Sequence, residues 1–197
     1  DTGAFVMYSS ALKRLAVKLS KISSDLRLLS SGPRAGLNEI NLPPVQPGSS
    51  IMPGKVNPVI PEVVNEIAYK VIGNDHTVTM AAESGQLELN VNEPIIVQSI
   101  FESIEMLNNG MKTFQYRCVE GITANTQRCR EMVQHSIGIV TALNPLLGYE
   151  KSSELAKEAL NNNKSVYELV LEKELLTREQ LDELLKPENM IRPGRLQ

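Results

Sequence analysis

The stretch Phe5-Val-Met-Tyr-Ser-Ser-Ala-Leu-Lys-Arg-Leu-Ala-Val-Lys-Leu-Ser-Lys-Ile-Ser-Ser-Asp-Leu-Arg-Leu-Leu29 decides the fold class. Its apolar residues fall at Phe5, Tyr8, Leu12, Leu15, Leu19, Ile22, Leu26 and Leu29, spaced alternately three and four. That spacing puts them on one stripe of an α-helix, the seam of a bundle or coiled coil. Ser31-Gly32-Pro33 stops the helix. A second seam runs Val97, Ile100, Ile104, Leu107, Met111, Phe114 and Cys118 with the same rhythm. Pro94 lies near its start and Gly121 near its end, and Gly110 is expected to loosen it. Two seams of this length imply an extended helical bundle, and no segment alternates like a strand.

Between them a third helix is expected to start near Pro58 to Pro61, where proline suits a first turn. Val63, Val64, Ile67, Ala68, Val71 and Ile72 give its apolar face, Gly73-Asn74 a carboxy cap, and a short helix is expected after Asp75. Beyond Gly121 the pattern changes to short helices. Ser165-Val-Tyr-Glu168 and Thr177-Arg-Glu-Gln180 fit the capping box, Asn161-Asn-Asn163 reads as a turn, and Lys186-Pro187 opens a polar tail. The reading is all-α. Residues 1–121 form part of a long multi-subunit bundle and residues 122–197 a small helical carboxy-terminal domain. The chain opens on Asp1 with helical periodicity already running by Phe5, so it is expected to be a piece of a longer polypeptide.

Composition narrows the function classes. With 42% hydrophobic and 22% charged residues the chain is globular, and a net charge of −3 gives no reason to expect nucleic acid or an anionic membrane surface as partner. No apolar run reaches the roughly 20 residues that span a bilayer. Cys118 and Cys129 are too few for a disulfide framework, which points to a reducing compartment, the cytoplasm. His76 and His135 are isolated from each other and from cysteine, which argues against a metal site. His76 is read as a capping or solvated residue in a turn, His135 as structural, Cys118 as a core residue and Cys129 as partly exposed.

Chemistry concentrates in the stretch from Pro33 to Pro58, which holds six prolines in 26 residues and has no sustained period. Long aperiodic segments inside compact proteins are usually functional. Its end reads Gly48-Ser-Ser-Ile-Met-Pro-Gly-Lys-Val-Asn-Pro58: two hydroxyls, an ammonium and a carboxamide running into a helix amino terminus. Outward-pointing backbone amides there favour an anion, Lys55 adds a point charge and Asn57 a donor. Serine becomes a base only where its oxyanion is stabilised, as neighbouring amides and Lys55 could do. On spacing alone, an anion-binding or structural loop is the larger share.

Gly48 to Asn57, followed by Glu62, resembles the signature of the aspartase/fumarase superfamily. The resemblance covers essentially the whole chain and implies an all-α fold of long helices assembled into a homotetramer. It implies that Ser49 is the general base removing a proton beside a substrate carboxylate, while Lys55 and Asn57 bind that carboxylate and stabilise the aci-carboxylate. Ser50, through its backbone amide, and Met52 join them on the substrate side, and Glu62 supports a histidine supplied from elsewhere. The signature loop is expected to be mobile and to close over a small dicarboxylate, with no metal or organic cofactor. The flanks Asn38-Glu-Ile-Asn-Leu-Pro43, Pro58-Val-Ile-Pro-Glu-Val-Val-Asn65 and Gln86 are similar to the aspartase branch, implying conversion of L-aspartate to fumarate and ammonia. Fumarate hydratase would use the same loop. A non-catalytic helical oligomerisation module is the reading from another class, and this chain alone, with half a site, is expected to be inactive.

Overall fold

The computed structural model describes residues 1–46, 48 and 56–191, with backbone alone for Pro187 and Ile191. The fold is all-α and divides into two compact units, residues 1–125 and 126–197. The first contains three long helices, α1 (Gly3–Leu29), α2 (Val59–Glu83) and α3 (Glu93–Arg117). At 25 to 27 residues each, they are roughly 40 Å long. Thr2 at the start of α1 donates to the Ala82 carbonyl near the end of α2. Phe114, late in α3, shares a core cluster with Val64, early in α2. The three helices therefore run up, down and up.

Their contact faces differ from the apolar seams. On α1 the fully buried residues are Ser9, Ala16 and Ser23, seven apart, where small side chains let α2 approach closely. Leu12, Leu15, Leu19 and Leu26 flank that line and join the core, whereas Phe5, Tyr8 and Ile22 on the same seam are exposed in the single chain. On α2 the buried face runs Pro61, Val64, Asn65, Ala68, Val71, Asn74, Asp75, Val78 and Ala81. It is rotated from the expected one, leaving Val63 and Ile72 exposed. Three polar residues hold buried positions because each is bonded across the bundle. Asn65 bonds α1 through Ser20 and Ser24. Asn74 bonds α3 through the Ser99 carbonyl, Glu102 and Ser103. Asp75 accepts from Ser9, Ser10 and Lys13 of α1.

That bonding corrects the expected break at Gly73-Asn74. α2 runs unbroken to Glu83 and no second helix starts after Asp75, because Asn74 and Asp75 are interhelical anchors rather than caps. His76 consequently sits mid-helix and exposed. Gly110 does not loosen α3 either. It is buried, and a Cβ there would lie 2.8 Å from Ile67 Cδ1, so the glycine permits close helix contact. Cys118 is buried beside Phe114 and Val64, and burial pushes its thiol pKa up.

One pair of strands was not legible. β1 (Ile40–Asn41) pairs antiparallel with β2 (Thr123–Ala124), at two residues each too short for any period. Asn125 reinforces it, its side-chain amide donating to the Asn38 carbonyl and to Asn41 Oδ1.

The second unit holds α4 (Thr126–His135), α5 (Val140–Leu147), α6 (Tyr149–Asn162), α7 (Val166–Glu172), α8 (Arg178–Leu184) and α9 (Pro187–Ile191). Leu143, Leu155, Ala159, Val166, Leu169, Val170 and Leu181 form its core with Ile139. Both capping boxes are formed, with reciprocal bonds between Ser165 and Glu168 and between Thr177 and Gln180. Asn163 ends α6 in the left-handed conformation that asparagine tolerates, at φ 51°.

Candidate active site

The wall of the site is built where α1 ends and α2 begins. The chain leaves α1 at Ser30 and turns sharply: Ser31 Oγ accepts from the Leu37 amide and the Ser31 carbonyl from the Asn38 amide. The turn closes because Gly36 has no side chain, since a Cβ there would lie 2.4 Å from the Ser31 carbonyl group. Asn38 then takes φ 51° and hands the chain to β1. Beyond Gln46 and Gly48 the described chain resumes at Val56, with Pro58 preceding the first turn of α2.

These segments enclose an open cleft of about 970 Å³. Ser24, Arg27 and Ser31 line one side, Asn38 and Asn41 another, and Val56, Asn57 and Pro58 a third. Among the described lining residues Arg27 alone carries a charge. The cleft thus sets side-chain amides, hydroxyls and one guanidinium among apolar and proline residues such as Leu28, Ile40, Leu42 and Pro43, a mixed lining of the kind that small-molecule sites use.

Of the residues singled out by sequence, Asn57 lies in this wall, and its Nδ2 donates to the Gly48 carbonyl at 3.2 Å, joining the two ends of the signature segment. Glu62 lies in the first turn of α2, where a carboxylate is favoured by the helix amino terminus. It faces Arg27 with Nη2 and Oε1 3.9 Å apart. Ser49, Ser50, Met52 and Lys55 lie outside the described residues, as does the expected mobility of their loop. His76 is 14 positions beyond Glu62 on the same helix, roughly 21 Å along its axis, so it does not meet that carboxylate. His135 is exposed, its Nδ1 2.7 Å from the Glu131 carbonyl. Among the described residues no cluster of His, Cys, Asp and Glu could hold a metal, and no helix is long and apolar enough to cross a membrane.

Sequence reading passed over Arg27 and Asn65. Arg27 follows a seam leucine and looks like a solvated charge. Asn65 shares the buried face of α2 with Val64 and Ala68, and a polar residue at such a position is the one signal that could have marked it.

An all-α bundle of three long helices, with a cleft at the start of its second helix, is the architecture that comparison with known proteins assigns to a helical lyase family. Residues 1–73 match the family model described as Lyase, and residues 139–192 the one described as Fumarase C C-terminus. The chain belongs to the aspartase/fumarase superfamily. It is similar to the aspartate ammonia-lyase of Helicobacter pylori, 64% identical over 193 residues covering 98% of this chain and 41% of that protein. The aspartate ammonia-lyase of Escherichia coli is 58% identical, again over 98% of this chain and 41% of the other. Among solved structures, the fumarate lyase:delta crystallin from Brucella melitensis bound to cobalt superposes with a TM-score of 0.91 at 57% identity, covering 98% of this chain and 42% of that one. The recombinant class II fumarase from Schistosoma mansoni gives 0.86 at 39% identity, covering 98% and 40%. The chain thus spans about two fifths of the length of these relatives.

Proposed function

We propose that the protein to which this chain belongs is an aspartate ammonia-lyase, a carbon–nitrogen lyase that converts L-aspartate to fumarate and ammonia. The observation that carries the reading is 64% identity to an aspartate ammonia-lyase along 98% of the chain. In this mechanism Ser49 takes the proton from the carbon next to a substrate carboxylate. The electron pair enters that carboxylate as an aci-carboxylate, then returns to form the double bond as the carbon–nitrogen bond breaks and ammonia leaves. Lys55 and Asn57 hold the carboxylate, helped by the backbone amide at Ser50 and by Met52. Their donors gain most when charge builds up, so they act more on the transition state than on the ground state. Glu62 supports a histidine from another part of the protein. The exposed seam residues Phe5, Tyr8 and Ile22 favour assembly of the bundle with further copies, as a homotetramer. Cys118 and Cys129 are both thiols, which suits the cytoplasm.

The likeness to a class II fumarase carries a second reading, hydration of fumarate by the same loop. It ranks below the first because identity is lower, 39% against 64%. Substitution tests the assignment of the base. Ser49→Ala in the full-length protein is expected to cost roughly 10²–10⁴ in turnover, with an unchanged helical spectrum. Near-normal turnover in Ser49→Ala together with its loss in Ser50→Ala would move the base by one residue.

A further inference from the structure

Arg27 is the charged residue of the cleft wall that the reading above leaves without a role. It sits in the last turn of α1, where a cation is favoured by the helix carboxy terminus. Its Nη1 donates to Asn65 Oδ1 at 3.1 Å, while Nη2 lies 3.9 Å from Glu62 Oε1. Asn65 is 2% exposed, and its Nδ2 donates to the Ser20 carbonyl at 2.9 Å, Ser20 Oγ at 2.9 Å and Ser24 Oγ at 3.2 Å. A carbonyl can only accept and a guanidinium can only donate, so these partners fix which way the Asn65 amide points. The buried amide therefore presents a rigid acceptor to Arg27.

The Arg27–Glu62 pair itself is too long and too exposed, at 42% and 39%, to matter much for stability. What distinguishes it is geometry. One prong of the fork is held by a buried anchor, and the other lies 3.9 Å from a carboxylate in the first turn of α2. That turn follows directly on Asn57 and Pro58, which line the same cleft as Arg27.

We propose that Arg27 is a positioning residue of this site: anchored on the buried Asn65 amide, it fixes the Glu62 carboxylate and the start of α2 beside Asn57. The inference rests on the proposed lyase reading, in which Glu62 and Asn57 serve the reaction. Lysine, a single point charge, cannot hold both partners at once.

The test is steady-state kinetics on L-aspartate with the full-length protein, comparing Arg27→Gln, Arg27→Lys, Glu62→Gln and the double variant Arg27→Gln/Glu62→Gln. Displacing a supporting group by about 1 Å can cost up to roughly 100-fold, so Arg27→Gln is expected to lower kcat roughly tenfold or more, with KM changing less than about threefold. In the Glu62→Gln background the same substitution is expected to add less than about threefold, because both changes remove one interaction. Arg27→Lys is expected to fall between wild type and Arg27→Gln. Losses that multiply in the double variant, or kcat within about twofold of wild type in Arg27→Gln, overturn the proposal. If Arg27→Gln fails to fold, Arg27→Lys decides: lowered kcat at an unchanged Tm supports the proposal and wild-type kcat overturns it. Ser49→Ala separates the two layers. An inactive Ser49→Ala beside a fully active Arg27→Gln removes the inference alone. Full activity in Ser49→Ala, or no fumarate from the wild type, removes the lyase reading and the inference with it.

Discussion

Removing the Lys13 ammonium while keeping its stem, as in Lys13→Met, strips the buried Asp75 carboxylate of its cation. The two side chains are unequal: Asp75 is 6% exposed and Lys13 41%. Breaking a buried ion pair by deleting one partner costs about 3–5 kcal/mol, because the other charge is left in a poor dielectric. Ser9 and Ser10 continue to donate to Asp75 Oδ1, and water reaches the place of the ammonium. The cost should therefore fall at or below the lower end, about 2–3 kcal/mol. Asp75→Asn retains the acceptor for Ser9 and lets Lys13 turn outward, so it should cost only about 1 kcal/mol. In the double variant neither a bare carboxylate nor an unpaired ammonium remains, and a coupling of at least about 1 kcal/mol is expected. Urea unfolding followed by far-ultraviolet circular dichroism, at fixed protein concentration, measures all four forms. Additivity within about 0.5 kcal/mol, or Lys13→Met no less stable than Asp75→Asn, would refute the reasoning that Asp75 is a buried charge clamping α1 to α2.

Three further outcomes concern the described residues. Gly36→Ala drives a Cβ to 2.4 Å from backbone atoms of Ser31 that cannot yield, and should lower stability by about 1–3 kcal/mol. Gly73→Ala has open space within α2 and should instead stabilise by about 0.5–1 kcal/mol; thermal unfolding with the opposite order would contradict both. Cys118 is 1% exposed and its thiol pKa is raised by burial, so iodoacetamide at mildly alkaline pH should leave it unlabelled in the native protein and label it after unfolding. Peptide mass analysis showing Cys118 alkylated in the folded state would contradict its burial.

The helices were legible because periodicity reports which residues avoid water. It did not report which partner covers them. The seam on α1 includes Phe5, Tyr8 and Ile22, which remain exposed, while Ser9, Ala16 and Ser23 make the close approach to α2. Small and polar residues at helix contacts carry no hydropathy signal, and for the same reason Asn65, Asn74 and Asp75 were misread or passed over. Asn74 and Asp75 resemble cap residues by type, and only their cross-bundle partners reveal them as anchors. The capping boxes of α7 and α8 were readable because their chemistry lies within four residues. In the cleft, Asn57 was marked by the signature it belongs to. Arg27 lies 30 positions earlier on another helix, and no local pattern joins the two.

Substrate choice tests the proposed reaction most directly. Removal of a proton beside a carboxylate is common to deamination and dehydration, so the roles proposed for Ser49, Lys55 and Asn57 suit either one. The full-length protein should therefore be given L-aspartate and L-malate separately, with fumarate followed by its ultraviolet absorbance. Fumarate from L-aspartate, with little or none from L-malate, is the predicted result; fumarate from L-malate alone would contradict the ammonia-lyase assignment.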